Sequence, residues 1–281
     1  MSTQELVSVP DRSVQPGIEI AGTDRIVLRE AVRLLEGPSF TARLASLAGT
    51  PVAILGRALP QSASEIISRA TAAALSRAFG FVLKTVPQRD GQPRLRTHQA
   101  LASLSGAVGG AFGLASLPIE LPVSTTIILR AIAQIAQSEG EDLSRPEAAL
   151  ACLQVFALGG QAGSPHLHES SYFAVRTALA KSVAEAARQI AGRGVLDRSA
   201  HAITRLLTQI GARFGITVSQ KVAAQAVPVL GALGGAAVNA AFTNHFQSLA
   251  RGHFIVRRLE RTYGKESVRS AYEQIRAEEG L

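Results

Sequence analysis

From Thr23 onward, apolar residues return every three or four positions, and no stretch alternates with period two for long enough to make a strand. Ile26, Val27, Val32, Leu34 and Leu35 form one stripe, with Arg25, Arg29 and Arg33 opposite, until Gly37-Pro38 stops the helix. Ser62 stands three residues before Glu65, a capping-box spacing that opens a helix to about Val86. The polar loop PQRDGQPR (87–94) follows, and an Ala/Gly-rich stretch starts at Thr97. Beyond Pro118 and Pro122, VSTTIILRAIAQIAQSEG predicts an amphipathic helix that Gly140 ends. Ser144 and Glu147, with Pro146 between them, predict another helix to about Leu158, and GGQAGSPHLHES (159–170) reads as a loop. Helical patterns then fill SYFAVRTALAKSVAEAARQIAGRG, RSAHAITRLLTQIGARFG, the stretch from Thr217 to Gly264, and KESVRSAYEQIRAEEG. The pattern predicts an all-α fold: one large helical bundle over 23–281, preceded by a disordered lead-in over 1–22.

Two segments rhyme. SGAVGGAFG and LGALGGAAVNAAF place Gly106, Gly109, Gly110 and Gly113 in the first, and Gly231, Gly234 and Gly235 in the second. Their GxxxG spacings put glycines on one helix face, where two backbones can nearly touch. A glycine inside a helix costs about 1 kcal/mol relative to alanine, so such a run needs close packing in return. These two Gly/Ala-rich helices are therefore expected at the centre of the bundle, packed on each other or on a third helix. The uncharged windows Thr97–Ile119 and Val222–Ala250 are long enough for membrane spans. Their glycines, serines, histidines and amides favour a buried core instead.

Composition sharpens this picture. Hydrophobic residues make up 47% of the chain while aromatics make up only 5%, which suits close-packed Ala/Leu/Val/Ile helices. The net charge of +8 fits an anionic partner. No nucleic-acid motif and no interleaving of aromatic with basic residues is present, so an acidic membrane surface is the expected partner. The single cysteine, Cys152, excludes an intramolecular disulfide and a cysteine-cluster metal site. The first residues have neither the basic nor the apolar region of a secretory signal, so a cytoplasmic location at the inner membrane face is expected.

At LPIELPVSTTIILRAIAQIAQSEGEDL (117–143) the chain resembles the EcsC protein family. The residues carrying the likeness are Glu120, Leu121, Pro122, Ser124, Thr125, Arg130, Gly140, Glu141 and Asp142. A second block, 220–264, resembles the family's Pro-x-x-Gly-Ala-x-x-Gly-Ala-x-x-Asn segment, through Pro228 and Asn239, and its following His-Phe and basic helix, through His245 and His253. The resemblance spans roughly residues 60–275. It implies an all-helical, membrane-related bacterial protein, accessory to an ABC transporter or binding an apolar ligand, and assigns no reaction.

Several residues carry candidate chemistry. Glu120 lies among uncharged neighbours, where a carboxylate is either raised in pKa or paired, for example with Arg130. His166, His168 and Glu169 could begin a metal site, although His-x-His alone supplies too few ligands. Lys221 and Asn239 border or enter the apolar segment and need buried partners. Arg251, Arg257, Arg258, Arg261 and Lys265 follow that segment as a basic cluster, suited either to lipid headgroups or to ion pairs along one helix. The sequence supports a non-enzymatic membrane-associated protein with an anionic membrane surface or membrane protein as partner, and names no cofactor. The alternative is a metal-dependent or carboxylate-based hydrolase built on Glu120 and nearby histidines.

Overall fold

The computed structural model describes residues 20, 22–48, 61–85, 117–160, 171–191, 199–226 and 234–281. Among these residues there are nine helices and no strands: α1 (Gly22–Glu36), α2 (Phe40–Ala48), α3 (Gln61–Thr85), α4 (Leu117–Ser138), α5 (Pro146–Leu158), α6 (Ser171–Ala191), α7 (Ser199–Ala226), α8 (Gly234–Tyr263) and α9 (Lys265–Glu278). The predicted lead-in, the glycines 106, 109, 110, 113 and 231, Pro228 and the His166–Glu169 tetrapeptide lie outside the described residues.

α8 is the axis of the bundle, packing against α1, α2, α4, α5, α7 and α9. Its apolar residues recur so densely that they bury it on several sides: Phe242, Phe246, Leu249, Phe254, Val256 and Leu259 are all core residues. Phe156 of α5 and Phe214 of α7 meet Phe246 edge-on or tilted, with ring centroids 5.2 and 5.4 Å away, and Phe40 of α2 meets Phe242 at 5.5 Å. Close backbone approach through glycine does occur, but at Gly252. A Cβ there would lie 2.7 Å from Leu35 Cγ and 3.1 Å from the Ala31 carbonyl, so the missing side chain is what lets α1 settle on α8.

Three local expectations are corrected. α4 starts at Leu117, ahead of both prolines. Pro118 suits a first turn, where its missing N–H has no partner to lose, and the helix continues through Pro122. Ser144 does not cap α5; its hydroxyl and amide both donate to Asp142, and the N-cap is Arg145, followed by Pro146. On α1 the buried face is Leu28, Ala31, Val32 and Leu35, while Ile26 is 69% exposed. The arginines opposite do not simply face solvent. Gly264, with φ +83° between α8 and α9, turns the chain so that α9 returns along α1. Arg25 and Arg29 then pair with Glu278, and Arg33 and Arg29 with Glu279.

Candidate functional site

Glu120 falls in the first turn of α4, on the face it shares with buried Leu117, Leu121 and Ser124. The helix therefore turns its only acidic residue inward, where isolation would be prohibitive. Lys221 of α7 reaches the same point: its Nζ lies 2.6 Å from Glu120 Oε1, and Asn239 of α8 donates to that oxygen at 3.1 Å. Lys221 has no exposed surface, and its ammonium sits 5.0 Å from the centre of the Phe242 ring. Burial pushes Lys221 below its usual range, and the adjacent carboxylate opposes that push. Arg130, the suggested partner, is exposed. It lies ten residues from Glu120, about 15 Å along the helix axis and out of reach.

A second polar network joins α1, α6, α8 and α9. Glu36 accepts from the Ser171 hydroxyl at 2.7 Å, the Tyr172 amide at 3.3 Å and the Tyr272 hydroxyl at 3.0 Å, so it caps the start of α6. The Tyr172 hydroxyl shares a 3.0 Å hydrogen bond with His253 Nδ1 and accepts one from Arg176, whose guanidinium grips Glu260 at 2.7 and 2.9 Å. Burial, reinforced by Arg176 and Arg257, holds His253 well below the usual imidazole range. His245 sits between the Phe40 and Phe246 rings and is pushed by burial down to about 3, with Arg43 adding to the shift and the Gly159 backbone opposing it. Both histidines are thus neutral interior groups. Among the described residues, the polar partners of Glu120 are an ammonium and an amide. Among the described residues no group of three His, Cys, Asp or Glu side chains is placed to hold a metal.

The comparison with known families settles the relationship. The EcsC protein family matches residues 83–259. The chain belongs to that family. No curated protein and no solved structure matches it. In this EcsC protein the two blocks that carry the likeness are partners in space: Glu120 of the first holds Asn239 of the second. The Gly140–Asp142 turn repeats the pattern. Gly140, with φ +79°, reverses the chain after α4, and Glu141 then accepts Arg257 at 2.8 and 3.0 Å and also pairs with Arg261. Arg258 donates to Glu139 at 2.8 Å. Of the five basic residues expected at lipid, these three have protein carboxylates against them, whereas Arg251 and Lys265 are exposed.

α4 is the one described helix long and apolar enough to cross a membrane, and 61% of its most apolar window is buried against the protein. Neither window singled out in sequence coincides with it. Its outward face is apolar at its N-terminal end: Ile119 is 77% and Val123 46% exposed, one turn apart, and Arg130 follows two turns later along the same face. Sequence periodicity alone did not single out this face, because α4 is apolar nearly all round; the exposure of Ile119 and Val123 distinguishes it.

Proposed function

We propose that this EcsC protein works without catalysis at the inner face of a membrane, laying the outer side of α4 against anionic lipid. The carrying observation is the face formed by Ile119, Val123 and Arg130. Two exposed branched apolar side chains and a cation along one helix face suit a helix lying in the interface plane, apolar groups among acyl chains and the guanidinium at phosphate level. Arg130 also argues for lying rather than crossing. It stands near the middle of α4, where a transmembrane pose would cost about 2.5–3.5 kcal/mol for that residue on insertion scales. The net charge of +8 adds long-range attraction to anionic headgroups. A transporter subunit served by the protein would then be met in the same plane.

Flotation with phosphatidylglycerol-containing and purely phosphatidylcholine vesicles tests this. The wild type floats with the anionic vesicles at low salt and much less with the neutral ones, while I119S/V123S and R130E each weaken flotation. A protein that stays in the soluble fraction with both vesicle types at low salt would refute the proposal.

A further inference from the structure

The interface behind that face has an unusual composition. Glu120 and Asn239 are 119 residues apart, and so are the contacting Glu139 and Arg258, so α4 and α8 run parallel and in register. That register sets Ser124 level with Thr243. α7 runs the other way, since Lys221 meets Phe242 while Phe214 meets Phe246. One turn from the ion pair, α8 therefore contributes Thr243. Thr243 is buried, and its hydroxyl makes no hydrogen bond among the described residues. The seam where Glu120, Lys221 and Asn239 meet thus stacks a desolvated ion pair on an unsatisfied hydroxyl. The α1–α8 interface, by contrast, is close-packed over Gly252 by Leu35 and Ala31.

The two interfaces differ in what parting them does. Separating an apolar contact only exposes hydrocarbon to water. Separating the polar seam also rehydrates two ions and the Thr243 hydroxyl, recovering desolvation that a buried ion pair barely offsets. We propose that the bundle opens along the Glu120–Lys221–Asn239 seam, so that α4, still packed on α3, parts from α8 and from Lys221 of α7 when the protein meets lipid. The lipid half of this statement rests on the membrane proposal above; the seam half stands on the packing alone. Single removal of one charge loosens the seam, because the other is left buried and uncompensated. Replacing both charges and the Asn239 amide by apolar side chains of similar size tightens it.

Hydrogen exchange on the full-length chain, read by mass spectrometry over 121–136 and over 248–263, separates these cases. In solution, E120L/K221M/N239L, which removes the ion pair together with the amide that donates to it, slows exchange in 121–136 by about tenfold, the change expected when roughly 1.4 kcal/mol is added to a local opening. T243V, which replaces an unsatisfied hydroxyl by a methyl and leaves the ion pair alone, slows the same segment; it decides the matter if the first variant does not fold. E120Q speeds exchange there. In each variant the 248–263 segment keeps its wild-type rate. Unchanged or faster exchange in 121–136 of T243V overturns the proposal, as does equal slowing of both segments, which signifies global stabilisation. On phosphatidylglycerol vesicles the wild type loses protection in 121–136. Flotation without that loss overturns the opening, whereas absence of flotation alongside the solution effects overturns only the membrane proposal.

Discussion

Replacing Gly252 by alanine sets two effects of known size against each other. Alanine in a helix interior is favoured over glycine by about 1 kcal/mol. Gly252 lies well inside α8, so that gain applies in full. Against it stands a new Cβ 2.7 Å from Leu35 Cγ, where carbon atoms rest at roughly 3.5–4.0 Å. The contact is with the branch point of a buried leucine, and the Ala31 carbonyl at 3.1 Å blocks escape towards the α1 backbone. α1 must therefore retreat by about 1 Å, and overpacking of this kind costs about 1–3 kcal/mol. G252A is expected to lose about 1 kcal/mol net, taking the middle of that range less the gain in propensity. Gly215 provides the control. It is also inside a helix, α7, but a Cβ there meets nothing within 4 Å, so G215A should gain about 1 kcal/mol. Urea denaturation followed by circular dichroism reads the difference between the two variants, about 2 kcal/mol and opposite in sign. If G252A stabilises the protein as much as G215A does, α1 does not rest on α8 through that glycine.

Two further outcomes follow from buried groups. His245 and His253 are neutral inside the protein with pKa values pressed below the free imidazole value of about 6.5, so only the unfolded chain takes up protons as pH falls below that value. Stability should be flat well above pH 6.5 and fall below it, by about 1 kcal/mol per histidine between pH 6.5 and 5.5; H245F, placing a phenyl between Phe40 and Phe246, should remove one histidine's share, and an unaltered pH profile would contradict the neutral interior assignment. Cys152 is fully buried in α5 and burial pushes its thiol well up, so a thiol-specific reagent at pH 8 should label it only as fast as the protein unfolds; rapid labelling in the native state would show that α5 is not a core helix.

The sequence disclosed the helices more fully than it disclosed their partners. Periodicity and Gly140 place α4 and its end, because both act within a turn or two of the residues concerned. The pairing of Glu120 with Lys221 depends on two helices about a hundred residues apart, yet a trace of it was present. Glu120 is the only charged residue between Arg96 and Arg130, and Lys221 the only one between Arg213 and Arg251. Two lone charges of opposite sign, each within a long apolar stretch, have few ways to be buried except together. Arg130 was the nearer cation along the chain, but ten residues of helix set it about 15 Å from Glu120 along the axis. The basic cluster at 257–261 was ambiguous for a similar reason. A carboxylate opposite it, at Glu141, lies in a turn whose position only the register of α4 along α8 determines. Glu36 gave no signal at all, since its role is to cap a helix that begins 135 residues later.

The place of α1 in the bundle bears on how the chain is made. Its buried face, Leu28, Ala31, Val32 and Leu35, closes on α8, and its arginines close on α9, so neither surface has its partner until about 200 further residues have been added. At about 5–20 residues per second, α1 spends on the order of 10–40 s on a growing chain with its apolar stripe and three cations uncovered. A basic amphipathic helix in that condition has an affinity for anionic bilayers. A nascent chain can therefore meet an anionic bilayer through α1 ahead of the α4 contact proposed for the finished protein, and final docking of α1 onto α8 would double as its release.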